Sequence, residues 1–184
     1  MTRLKDAKEL GGVGSILVLL SFVPIVGFVL GIAGLILILM ASKHISDAVN
    51  EREIFENVLI AVILLIFSEI IALAWFNPFM MIASVASFAF LGILIVGLIV
   101  LWVILVVASW FLRKGFVRIA ARTGTATFDR VGRWYFYGAL LVIVLVGFII
   151  ILIASILQVV AFFSLPESPP AQPTPQQPSG VQPL

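Results

Sequence analysis

At 184 residues the chain is 62% hydrophobic and only 11% charged. With a mean hydropathy of +1.26, that composition excludes a water-soluble core and implies an integral membrane protein. The net charge of +2 comes from basic residues that flank apolar runs, so it reads as a label of membrane side and argues against nucleic acid as a partner. Cysteine is absent, which removes disulfides, thiolate metal sites and cysteine nucleophiles together.

One crossing takes roughly 20 apolar residues, so the length allows about four to six crossings in one compact domain and no separate soluble domain. Arg3, Lys5 and Lys8, mixed with Asp6 and Glu9, precede an apolar run over residues 10–42. The start resembles a secretory signal, but the run is too long for the apolar core of one and no small-x-small cleavage site follows. A pilin-type leader fails because such proteins have one apolar helix. As one helix the run would measure roughly 50 Å, so it is expected to fold back at Pro24, with Gly27 following in a turn position. Two short helices result, roughly 4–23 and 26–45. Gly11, Ser15, Gly27, Gly31 and Gly34 suit close packing between these two helices, or alternatively a dimer face.

Residues 43–56 form a polar island in which Asn50 is expected to cap the next helix, with Glu53 completing a capping box. The third helix is predicted over about 54–76. Trp75, Phe76 and Phe79 then bracket a tight turn at Asn77-Pro78. Residues 79–112 follow without a charge. Counting back from Trp110 and Phe111 puts the crossing near 91–111, leaving 79–90 to tilt, bend at Gly92 or lie in the outer interface.

The basic island at 113–133 carries Arg113, Lys114, Arg118, Arg122, Arg130 and Arg133 against one acid, Asp129. It is expected to extend the fourth helix, with Phe116, Val117, Ile119 and Ala120 offered to the membrane. Gly124 is expected to end it in a left-handed cap, and Thr127 to cap the next turn. Trp134, Tyr135 and Tyr137 then form an aromatic belt for a fifth helix reaching about 163. Past 165, seven of the nine prolines stand among Gln, Ser and Thr. That composition predicts a disordered, solvated tail over 166–184, or alternatively a docking strand for a proline-reading partner. The transmembrane domain is therefore 1–165.

The fold expected is an all-α, polytopic transmembrane bundle with five crossings, N-terminus inside and C-terminus outside. Segments 1–9, 43–56 and 113–133 then share the inner side and hold three, two and six basic residues, all 11 in the chain. Four crossings is the alternative. In it 10–42 crosses once and the N-terminal basic residues lie outside, against the positive-inside rule.

Glu69 is the only formal charge within a predicted crossing, which makes it the first candidate for a functional site. Ser68, Ser84, Ser87 and Gln158 are its possible polar neighbours. Depth counted from the outer aromatics Phe162 and Phe163 brings Gln158 level with Glu69, whereas counting from the inner belts does not. The plain alternative is a protonated carboxyl holding helices together, worth roughly 1 kcal/mol. His44 stands alone at a membrane edge. No nucleotide-binding loop, HExxH or GxSxG motif occurs, so no enzyme, metal or cofactor is expected. The leading expectation is a non-enzymatic accessory or structural component of a membrane assembly, partnered by the lipid bilayer and by another protein or a second copy through its glycine-rich helices. A small carrier or channel using Glu69 as a proton or cation site is the second.

The opening AKELGGVGSILVLLSFVPIVGFVLGIAGLILILMASKHIS, the following EIFENVLIA and the later FVRIAARTGTATFDRVGRWYFYGALLVI together resemble an archaeal membrane-protein family catalogued as domain of unknown function 996. The likeness covers roughly residues 4–165, and its motifs are mostly glycine and apolar positions, Gly138 among them. It implies an archaeal cytoplasmic-membrane protein and transfers no activity or catalytic residues.

Overall fold

A chain in lipid must satisfy its backbone hydrogen bonds internally, and a helix does so within one segment. The computed structural model of the protein describes residues 3–23, 26–82 and 88–167. These form six helices: α1 (Arg3–Leu20), α2 (Gly27–Val49), α3 (Arg52–Ile82), α4 (Phe88–Thr123), α5 (Thr127–Leu141) and α6 (Val146–Phe163). Four stretches among the described residues are long and apolar enough to cross a membrane: α2, Arg52–Trp75 of α3, Gly92–Thr123 of α4, and α6. Each helix packs on its neighbours in sequence and α6 returns to α1, so the contacts close into a ring. This is the all-α transmembrane bundle expected from composition.

The α1–α2 hairpin is built on glycine. A Cβ on Gly34 would fall 2.6 Å from the Gly14 carbonyl, and one on Gly14 would fall 2.8 Å from the Gly34 carbonyl. The two backbones touch, as small residues allow. Pro24 lies outside the described residues, but α1 ends and α2 begins close to where the fold-back was expected. The Gly27 N–H donates to the Val23 carbonyl at 2.9 Å across that turn.

The cap expected at the start of α3 is instead the stop of α2. Asn50 has φ 53° and its N–H reaches the Ser46 carbonyl, a left-handed terminator that a short polar residue tolerates. The capping box therefore does not form, and α3 begins at Arg52. Nor does α3 stop at Asn77-Pro78. It continues to Ile82, since membrane helices tolerate a proline whose lost bond is made good nearby. In the same way α4 runs through Gly92 from Phe88. Gly124 does end α4 in the left-handed region, at φ +73°, but the N-cap of α5 is Ala126, without a side-chain cap bond, and Thr127 is the first helical residue.

The largest departure is after Trp134, where a single fifth helix was expected to run to 163. α5 stops at Leu141, a short 3-10 turn follows over Val142–Val144, and Leu145 adopts φ 63° before α6 begins. α6 then runs back along α5. Tyr135 meets Ser155 at 2.9 Å, and Phe128 meets Phe162 edge-on with centroids 5.0 Å apart. Gly138 and Gly147 make the reversal possible: a Cβ on Gly138 would fall 2.7 Å from Ile151, and one on Gly147 would collide with the Gly138 carbonyl. Three β-branched residues in a row, Val142, Ile143 and Val144, add a weak helical stretch at the bend.

The fold-back moves Phe162 from the outer surface into the core. Phe116, Phe128 and Phe162 are fully buried there, and Phe116 and Ile119, expected to face lipid, pack inside. Leu4 and Leu165 belong to the same cluster. The two ends of the described chain thus lie together at one end of the bundle. Residues 168–184 of the expected tail lie outside the described residues.

That end also gathers the charge. Glu51, between α2 and α3, accepts hydrogen bonds from Arg118, at 2.9 Å, and Arg122, both on α4. Arg118 also pairs with Glu53, Arg3 with Asp47 at 3.4 Å, and Arg133 with Asp129. Burial acts to raise the pKa of the Glu51 carboxyl, but the two guanidiniums outweigh it and hold the carboxyl below its ordinary range.

Candidate functional site

Next to the aromatic core lies a cavity of about 170 Å³ to which every helix contributes. Its floor, next to the core, is Ile38, Val62 and Leu112. Its far end is formed by Ser21 and Phe22 from the end of α1, Gly31 of α2 and Glu69 of α3. Glu69 lies seven residues along α3 from Val62, roughly 10 Å by helix rise.

Gly31 makes room for the carboxyl. A Cβ there would stand 3.1 Å from Glu69 Oε1 and 3.6 Å from Oε2. Glu69 itself is half-buried, yet its Oε2 is enclosed and has no hydrogen-bond partner among the described residues. Buried polar atoms are nearly always paired, so this oxygen is the one conspicuous exception in the cavity.

The remaining polar groups are tied to their own helices. Ser21 donates to the Val18 carbonyl at 2.7 Å, Ser109 to Val106 at 2.8 Å and Ser155 to Ile151 at 2.9 Å. Ser155 also meets the Tyr135 hydroxyl at 2.9 Å, a pair in which either oxygen can donate. Gln158, one turn before Phe162 on α6, is buried on the cavity wall.

With that geometry in view, the similarity to known proteins becomes informative. Residues 30–156 match the family described as protein of unknown function (DUF996). The chain belongs to this family. It is also 38% identical over 173 residues to an uncharacterized protein of the archaeon Methanocaldococcus jannaschii, covering 89% of this chain and 94% of that one. No solved structure matches the chain.

Of the residues singled out by sequence in this DUF996 chain, Glu69 and Gln158 share the cavity. Ser68 does not line it, and its hydroxyl bonds to the Leu65 carbonyl at 2.7 Å. Ser84 and Ser87 lie outside the described residues. Ser21, Ser109, Tyr135 and Ser155 were not anticipated. Ser155 and Gln158 stand three apart, hence on one face of a helix, and that spacing was a signal available in the sequence. Tyr135 offered none, because it reads equally well as part of an aromatic belt whose other members, Trp134 and Tyr137, are indeed exposed.

Proposed function

We propose that the protein is a non-enzymatic carrier or channel for a small solute, a multi-pass protein of the cell membrane in which Glu69 is the proton or cation site. The observation that carries the reading is the enclosed, unpartnered Oε2 of Glu69 at one end of a cavity shared by all six helices. A carboxyl serving as glue between helices is expected to bond across to a neighbour, whereas this one adjoins open space. The serine hydroxyls of the cavity donate to backbone carbonyls, so none is paired with a base as a nucleophile needs.

By the positive-inside rule the basic end belongs in the cytoplasm. Both ends of the described chain then face the cytoplasm, and the number of crossings is even. Protein in liposomes should pass protons or a common cation, and Glu69→Gln should abolish that flux while leaving assembly in detergent intact. Wild-type protein silent to protons, to common inorganic cations and to small organic cations would overturn the reading. The accessory role in a larger assembly would then stand first, and what co-purifies in mild detergent would decide it.

A further inference from the structure

The hydrogen bonds within the cavity specify the kind of cation. The hydroxyls on its wall are already engaged: Ser21, Ser109 and Ser155 bond to carbonyls of their own helices, and Tyr135 and Ser155 share a hydrogen bond. What they turn to the cavity is oxygen lone pairs. Glu69 adds a carboxyl with a free oxygen, and only the Gln158 amide retains hydrogens to give. A surface of acceptors suits a ligand made of donors. An anion would meet lone pairs on nearly every side.

The apolar walls then separate an organic cation from a metal ion. An alkali or divalent ion needs roughly six oxygens converging on one point, but Glu69 is roughly 10 Å along α3 from the cavity floor, where Gln158 precedes the Phe162 cluster. Most of the remaining wall is apolar, including Leu35, Leu65, Leu105 and Ile151, with the hydroxyls of Ser109, Tyr135 and Ser155 set into it. The volume of about 170 Å³ is close to that of an apolar cavity of about 150 Å³ that takes one benzene ring.

We infer that the cavity binds a small primary amine with an apolar body, its ammonium on Glu69 and its hydrocarbon against the leucine-lined wall. The inference rests on the carrier reading and narrows it to a ligand class. The charged hydrogen bond to an enclosed carboxylate supplies selectivity, and the hydrocarbon supplies affinity through burial.

The test uses the full chain in lipid nanodiscs, with empty nanodiscs as the blank, and equilibrium dialysis of benzylamine and of its neutral counterpart benzyl alcohol. Benzylamine is expected to bind better than benzyl alcohol by about tenfold or more, and Glu69→Gln to erase that preference. Ser109→Leu, which fills the cavity without removing a needed donor, is expected to lose both ligands and keep the fold. Equal binding of the two compounds, or a preference untouched by Glu69→Gln, overturns the inference. Proton or inorganic-cation flux that depends on Glu69, with no benzylamine bound, overturns the ligand class and leaves the carrier reading in place. Absence of both flux and binding removes the two together.

Discussion

Glu51 and Glu69 are both carboxylates beside helix ends or in helices, yet their surroundings set them opposite tasks. The Glu51 side chain is 14% exposed and lies between two arginines, so its charge is used in holding α4 to the α2–α3 junction. Glu51→Gln should lower stability by about 1 kcal/mol, a figure kept small because Arg118 and Arg122 are half open to solvent. In thermal unfolding that is a fall of about 2–4 °C. The carboxyl is held below its ordinary value of 4.5. Its contribution is therefore complete above that value and disappears as pH falls through the lower folded value. Wild-type stability should drop across that acid window by a share that Glu51→Gln lacks, and a pH series of melting curves checks it. Glu69 was legible as the one charge in the apolar stretch after Glu56. Its cavity was not, because Ser109 and Tyr135 come within reach only through α4 and α5.

For the helices themselves, length was the readable quantity and the position of breaks was not. Residues 10–42 and 134–163 are both too long for one crossing, but only the first carries a proline to mark its bend. The second bends at Leu145, which is 72% exposed and left-handed, a conformation costing roughly 1–2 kcal/mol for a residue with a side chain. Leu145→Gly should therefore raise stability by about 1 kcal/mol in denaturant unfolding. A fall of about 0.5–1 kcal/mol would instead indicate a continuous helix weakened by glycine. The α1–α2 contact makes a sharper forecast. Gly34→Ala sets a methyl 2.6 Å from backbone that cannot move aside, and should cost about 1–3 kcal/mol or prevent folding. Gly92→Ala meets nothing within 4 Å and should be neutral or stabilising by up to about 1 kcal/mol. Detergent melting temperatures of the pair provide the comparison.

At the scale of the whole molecule, the return of α6 to α1 decides where the chain ends. Phe162 rests on Gly11, and Phe163 lies 2.6 Å from where a Cβ on Gly12 would stand, so the described C-terminal end sits beside the N-terminal one. Tags fused to either terminus should both resist protease added outside intact cells and both be cleaved once the membrane is opened. Cleavage of the C-terminal tag alone would restore an odd number of crossings. Composition determined that the chain is a helical membrane protein, and the clustering of all 11 Lys and Arg pointed to the charged end of the bundle where Arg3, Arg118 and Arg122 find their acids. These are sums over residues and need no knowledge of neighbours. The reversal at Leu145, the burial of Phe116 and Phe162, and the cavity that brings Gln158 to the same space as Glu69 were decided by tertiary packing alone. An apolar side chain transfers equally well into lipid or into another helix, so in a membrane hydropathy cannot say which of the two it will meet.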